Sequence, residues 1–147
     1  MTRLDTASAE ELGAIRVLLE RAGLPTSDLE SARPEFAVVR EDGQVVAAGA
    51  LQRFGSSALL RSVVVAEDHR GGGLGQMIVC ELERLAHAAQ ITELILLTQT
   101  AAEFFARQGF RAIERTSAPR DMQTSEEFRS LCPSSATCMA KSLPHAA

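Results

Sequence analysis

Ser62-Val63-Val64-Val65-Ala66-Glu67-Asp68-His69-Arg70-Gly71-Gly72-Gly73-Leu74-Gly75-Gln76 carries a β-branched strand into three consecutive glycines and then into a helix. From Gly73 to Gln90 the apolar positions Leu74, Ile78, Val79, Leu82 and Leu85 recur at helical spacing, with Glu81, Glu83 and Arg84 on the wetter face. Where a strand gives way to a helix at glycines, the free N–H groups of the first helical turn point outward and make an anion cradle. Glycine suits the place because a Cβ would hold phosphate oxygens away from the amides, and because such turns use positive φ. Arg70 adds a fixed positive charge. Taken alone, the glycines fit a connector without a ligand equally well; Arg-x-x-Gly-x-Gly between strand and helix favours the anion site.

Working outward, Glu35 to Arg40 and Gln44 to Arg53 are β-branched or small apolar runs around Glu41-Asp42-Gly43, a hairpin signature. Residues 58–65 then read as a central strand buried on most of both faces, with Arg61 and Ser62 as its polar exceptions. Upstream, a short apolar start at Arg3-Leu4 precedes a capping box, Ser8 with Glu11, and a helix through Ala22 that Gly23-Leu24-Pro25 ends. Residues 26–31 read as a short second helix. Downstream, residues 93–98 read as a strand, and Thr100 with Glu103 as the capping box of a helix closing at Gly109. Residues 110–115 then read as a strand, residues 124–131 as a short helix begun by Thr124 with Glu127, and residues 136–143 as a last strand. Hairpins first and helical crossovers later imply a mixed α/β (α+β) sheet, antiparallel at its start, with helices on both faces.

That order tests two nucleotide motifs. The Walker pattern needs Lys and then Ser or Thr after its last glycine, whereas Gly75 is followed by Gln76 and Met77. The Rossmann turn belongs to a parallel unit with an acidic residue about 20 residues on, and here an antiparallel hairpin comes first. A pyrophosphate remains the natural ligand, and coenzyme A carries one.

The 147 residues, 46% of them hydrophobic, suit a single domain over residues 1–147. Apolar stretches fall well short of the ~20 residues of a bilayer span, and the N-terminus lacks a signal-peptide core, so a cytoplasmic protein with no membrane partner is expected. Net charge is −4 and no basic run exists to neutralise a phosphate backbone, which argues against nucleic acid. Cys80, Cys132 and Cys138 are odd in number and match no zinc spacing, so reduced thiols and no metal site are expected.

Val63-Val64-Val65, Arg70-Gly71-Gly72-Gly73-Leu74-Gly75 and Phe104-Phe105-Ala106-Arg107-Gln108-Gly109-Phe110 together resemble the successive signatures of the GNAT superfamily of N-acetyltransferases. Within it, Leu97-Thr98-Gln99-Thr100-Ala101 and Phe128-Arg129-Ser130-Leu131-Cys132-Pro133-Ser134-Ser135-Ala136 resemble the small ArsN-type enzymes associated with arsenic resistance. The resemblance implies a mostly antiparallel sheet of six to seven strands and acetyl-CoA as co-substrate. It implies that main-chain groups of Val63, Val64 and Val65 hold the pantetheine arm, with the Val63 N–H polarising the thioester carbonyl. Arg70, Gly71, Gly72, Gly73, Leu74, Gly75 and Gln76 would meet the pyrophosphate, and Thr98, Thr100, Phe104 and Phe105 the acetyl and thiol end. Many relatives carry Tyr where this chain has Phe105, so the usual proton donor to the thiolate is absent, and the general base is unassigned.

Arg61 interrupts an apolar strand, and a buried unpaired charge is costly, so it is expected either to bind a substrate carboxylate or to pair with Glu35 or Glu114. Ser62, Arg53 and Arg120 join it as candidate substrate contacts. The expected reaction is acetyl transfer to the amine of a small molecule such as arsinothricin, an arsenic-containing analogue of glutamate. Acetylation of a protein N-terminus or lysine, and a non-catalytic CoA- or arsenite-binding regulator using Cys132 and Cys138, are the rival readings. Monomer and homodimer are both open.

Overall fold

The hairpin forms around Gly43, which takes the positive φ of 83° that a tight turn requires, and pairs β2 (Glu35–Glu41) with β3 (Gln44–Phe54). The computed structural model describes residues 2–144. In it, β1 (Thr2–Thr6) adds antiparallel to β2 and extends the short strand expected at Arg3-Leu4. On the other side β4 (Ser57–Val65) adds antiparallel to β3. The chain then crosses over through α3 (Leu74–Ala88) to β5 (Glu93–Thr98), which lies parallel to β4. Finally β7 (Thr137–Ser142) inserts between β5 and β6 (Arg111–Ile113), antiparallel to both. The seven-stranded order is β1-β2-β3-β4-β5-β7-β6, mostly antiparallel as expected.

Both faces are covered. On one, Ile78, Val79, Leu82 and Ala86 of α3 and Phe105 of α4 (Ala102–Arg107) bury against Ala37, Val39, Ala47, Leu51, Leu60 and Leu96. The close approach of α3 depends on Gly49, where a Cβ would stand 2.4 Å from Ile78 Cγ2. On the other face two separate clusters form. Ile15 and Leu19 of α1 (Leu12–Arg21) and Leu29 of α2 (Leu29–Ala32) pack on Phe36, Val38, Ala48, Ala50 and Val64. Met122 of α5 (Arg120–Gln123), with Phe128, packs on Leu59, Ile95, Cys138 and Ala140.

Two irregularities in β4 position everything that follows. Ala50 pairs with Arg61 but Ala48 with Val64, so β4 carries one extra residue there: a bulge, with Ser62 at a φ of 59°. A one-residue slip exchanges the faces, so Ala58 and Leu60 point toward α3 before the bulge and Val63 and Val65 do so after it. The second irregularity is that β4 and β5 pair only from Ser57↔Glu93 to Leu59↔Ile95 and then separate.

Two expected capping boxes do not form. Thr98 Oγ1, not Thr100, accepts the Ala101 N–H at 3.0 Å at the start of α4. Thr124 sits at the end of α5, donating its hydroxyl to the Asp121 carbonyl at 2.7 Å, and Glu127 turns inward at the head of a five-residue π turn, Glu127–Leu131. The Ser8–Glu11 box does form, with the Ser8 N–H donating to Glu11 Oε1 at 2.8 Å. No helix among the described residues is long and apolar enough to cross a membrane.

Candidate active site

Beyond Leu59, residues 60–65 of β4 and 96–98 of β5 face one another without strand pairing, so main-chain N–H and C=O groups line the gap. Buried main-chain groups are nearly always paired, and this opening is wide enough for a guest to supply the partners. The resulting cleft has a volume of about 630 Å³. Val63, Val64, Val65, Arg70, Gly75, Thr98, Thr100, Phe104 and Phe105 all line it, together with Arg61 and Ser62, so the structure brings these expected site residues together. A second recess of about 540 Å³ shares Ala22, Val65 and Arg70 with the first and continues it along α1.

At the mouth, Gly73 initiates α3 with a φ of 84°, and Gly71 has a φ of 85°. The first intrahelical bond of α3 is Met77 N–H to the Gly73 carbonyl at 3.1 Å, which leaves the amides of Leu74, Gly75 and Gln76 with no acceptor inside the helix. No acidic residue lies in that first turn, so the helix dipole stays available to an anion. Gly71, Gly72 and Gly73 are exposed beside it. Arg70 folds back, its Nε donating to the Val65 carbonyl at 3.1 Å, which ties the loop to the end of β4. Gly75 allows Phe104 close to the helix: a Cβ there would meet Phe104 Cζ at 3.3 Å. These features fit a pyrophosphate at the mouth and an extended arm along β4.

The far end of the cleft is more polar than expected. Arg61 is fully buried, and both its terminal nitrogens donate to Asp28 at 2.6 Å. Gln52 Oε1 accepts from Nη1 at 3.0 Å, and Glu127 Oε1 lies 3.5 Å from Nε. Burial opposes the Arg61 charge, yet its hydrogen bonds to Asp28 and the charges of Glu127 and Asp28 outweigh it, so its pKa is raised. Arg61 therefore pairs with Asp28 and Glu127, not with Glu35 or Glu114, and its fork is already occupied by a carboxylate of the protein. Glu35 pairs instead with Arg53, on the surface. Neither Arg53 nor the exposed Arg120 is among the residues lining the cleft, which separates them from the substrate contacts expected of them.

Sequence reasoning missed three parts of the wall: Ala22, Gly23, Leu24 and Pro25 after α1, Glu127, and Cys132 as a cleft residue. Burial pushes the Glu127 carboxyl up to about 7, with Arg61 pulling it down and Asp28 pushing it further up. Burial, with the neighbouring Glu127 charge, likewise pushes the Cys132 thiol up to about 11. Cys138 is also raised by burial. Both thiols are therefore poor thiolates at neutral pH, which weakens the arsenite-binding reading. The sequence pattern reads Glu127 as the cap partner of Thr124 and gives no sign of its place in the cleft.

Comparison with known proteins follows the same lines. The family described as "Acetyltransferase (GNAT) domain" matches residues 32–112. An amino-acid acetyltransferase of Mycobacterium tuberculosis is 37% identical over 121 residues, covering 80% of this chain and 64% of that protein. An amino-acid acetyltransferase of Azotobacter vinelandii is 30% identical over 129 residues, so the chain spans only 30% of that relative's length. Among solved structures, Rv2747 of Mycobacterium tuberculosis, in complex with CoA and a second ligand, superposes with a TM-score of 0.83 at 28% identity, covering 97% of this chain and 99% of that one. N-acetylglutamate synthase of Neisseria gonorrhoeae, complexed with coenzyme A and N-acetyl-glutamate, gives 0.84 at 19% identity, covering 99% of this chain and 36% of that one, a likeness of fold. A split sheet, a bulged β4, a glycine-led α3 and a family match over more than half the chain lead to one conclusion: this protein belongs to the GNAT acetyltransferase family.

Proposed function

We propose that the protein is an N-acetyltransferase that moves an acetyl group from acetyl-CoA to the amine of a small amino acid. The observation that carries this reading is the unpaired stretch of β4 opposite β5, continuous with the free amides at the head of α3. An extended pantetheine arm would pair with Val63 and Val65, and the pyrophosphate would meet the amides from Gly71 to Gln76. The Val63 N–H, displaced from regular pairing by the bulge, is the donor for charge developing on the thioester oxygen, a fixed dipole aimed at that charge. Thr98, Thr100, Phe104 and Phe105 would flank the acetyl end. Phe105 packs edge-on against Phe104 and Phe110 and offers no proton, so the leaving thiolate is protonated by water or by a hydroxyl or thiol on the wall, of which Ser62 and Cys132 are the candidates.

The acceptor class rests on the relatives, which are named amino-acid acetyltransferases, and on an acceptor end that mixes charges with the apolar Leu24 and Pro25. Arsinothricin is the narrower proposal, resting on the ArsN-like stretches at residues 97–101 and 128–136; its acetylation would be detoxifying. A panel of glutamate, glutamine, other amino acids, arsinothricin and an alanine-led peptide, read by release of CoA thiol, tests both levels. Turnover with one or more amino acids is the expected result. Turnover with the peptide alone would favour the protein N-terminus, and no thiol from any amine would overturn the acetyltransferase reading.

A further inference from the structure

We propose that Glu127 is the general base: it takes a proton from the acceptor's ammonium group, which binds in the seam between Arg61 and the loop after α1. The inference rests on the acetyl-transfer reading above and supplies the base that reading lacks.

Arg61 is one cation, and Asp28 already neutralises it through two hydrogen bonds of 2.6 Å. Glu127 is a second carboxylate, 4% exposed, and it is in excess. Its carboxylate makes an ion-pair contact with Arg61 Nε at 3.5 Å, longer than an ordinary hydrogen bond, while Nε donates to Ser62 Oγ at 3.4 Å. Buried side-chain polar atoms ordinarily have a hydrogen-bond partner, and no donor among the described residues hydrogen-bonds the Glu127 carboxylate. Yet it is not sealed in, since it lines the cleft and its oxygens are not among the buried atoms left without a partner. What the site lacks is a cation with N–H donors, and a protonated amine is such a cation.

Backbone geometry supports the same assignment. The turn that starts at Glu127 closes with Cys132 N–H donating to the Glu127 carbonyl at 3.1 Å, an i to i+5 bond. Such wide turns are rare and cluster at functional sites. This one directs Glu127 toward the sheet and away from the capping position its spacing suggests. The groups facing it are Arg61 from β4, Asp28 ahead of α2 and Cys132 at the end of the turn, and Arg115 acts on Cys132. A purely structural role would require Glu127 to hold Arg61, but Asp28 and Gln52 already do so with three shorter bonds.

The step balances as follows. Glu127 removes one N–H proton from the ammonium, and the freed lone pair forms the C–N bond to the carbonyl carbon of the acetyl thioester as the C=O pair moves onto oxygen. When that pair returns, the C–S bond breaks and sulfur leaves with its electrons. The second N–H proton ends on sulfur, giving an amide, a thiol and a protonated Glu127 that returns its proton to water. A base working at neutral pH is most effective when its pKa lies near 7, where burial has brought this carboxyl.

The test compares kcat/KM against pH for wild type, Glu127→Gln and Glu127→Asp with the best amino acid of the panel, and with a weakly basic amine that is already neutral at pH 7. Calorimetric CoA binding serves as the check on folding. Expected are an acidic limb with its inflection near 7 in wild type, a loss of about a hundredfold or more in E127Q together with that limb, and retention of the limb in E127D. With the weakly basic amine, E127Q should lose little, an outcome that mere structural damage would not give. Should E127Q turn over the amino acid at the wild-type rate with the limb intact, Glu127 is not the base, although acetyl transfer stands. Should E127Q fail to bind CoA, the wild-type profile decides: absence of any limb between pH 6 and 8 overturns the assignment. Wild-type protein that binds no CoA and releases no thiol would overturn both the assignment and the reading beneath it.

Discussion

Arg61 is buried and held by Asp28 through two hydrogen bonds of 2.6 Å. Asp28 reaches it from the α1–α2 side and Glu127 from the α5 side, and the guanidinium lies between them with no exposure. Removing one partner of a buried pair leaves an uncompensated charge, so Arg61→Met should lower stability by about 3–5 kcal/mol. Urea unfolding followed by circular dichroism measures this; a loss below about 1 kcal/mol would show that the pair is not structural. That Arg61 must be paired was legible from an arginine inside an apolar strand. Its partners were not, because Asp28 lies 33 positions away in the chain and only the tertiary fold sets such a distance. Glu127 was misread for a related reason. Spacing of Thr124 and Glu127 describes a local cap, whereas burial of Phe128 and Met122 against the sheet decides which way that turn faces.

At the scale of elements, the strand and helix periods were strong enough to locate β2 to β5 and α3, and the glycines at the head of α3 were readable because backbone requirements are local. The bulge in β4 was not. Residues 58–65 read as one uninterrupted strand, and the slip at Ser62 is visible only from its pairing with β3. The same holds for Gly49, which reads as a small residue in a strand and proves to be the point where α3 approaches the sheet. Gly49→Ala would drive a methyl into Ile78, and overpacking of this kind costs about 1–3 kcal/mol. The expected result is a lower urea midpoint for G49A with an unchanged m-value, and the G49A penalty should shrink in an Ile78→Ala background, which lacks Cγ2. An unchanged midpoint would mean that α3 does not sit so close.

At the scale of the whole molecule, Glu11 and Glu127 are carboxylates with opposite shifts and contribute opposite pH dependences to stability. Glu11 accepts hydrogen bonds from Arg40 at 2.6 Å, and this holds its carboxyl down at about 2, against 4.5 ordinarily. Its contribution is complete above pH 4.5 and is lost as pH falls from there toward 2. Glu127 works in reverse. Its folded pKa near 7 lies above 4.5, so the folded state binds the extra proton, and stability declines as pH rises through that window. The thermal midpoint should therefore be higher at pH 5 than at pH 8, and Glu127→Gln should raise the pH 8 value by roughly 3–5 °C while changing the pH 5 value little. Calorimetric scans of both proteins at the two pH values measure it. An E127Q protein that is less stable at pH 8 would mean that Glu127 serves as a structural partner of Arg61.

Across the whole chain, order of elements and family resemblance were readable from strand-helix alternation and the glycine motif, while the cleft's acceptor end was not, since loops from three distant segments build it. The most direct test is amide hydrogen exchange with and without coenzyme A. Slowed exchange confined chiefly to Val63 and Val65 and to Leu74, Gly75 and Gln76 is the expected result, because those N–H groups gain acceptors when an arm lies along β4 and a pyrophosphate caps α3. Unchanged exchange at both places in saturating coenzyme A would contradict it.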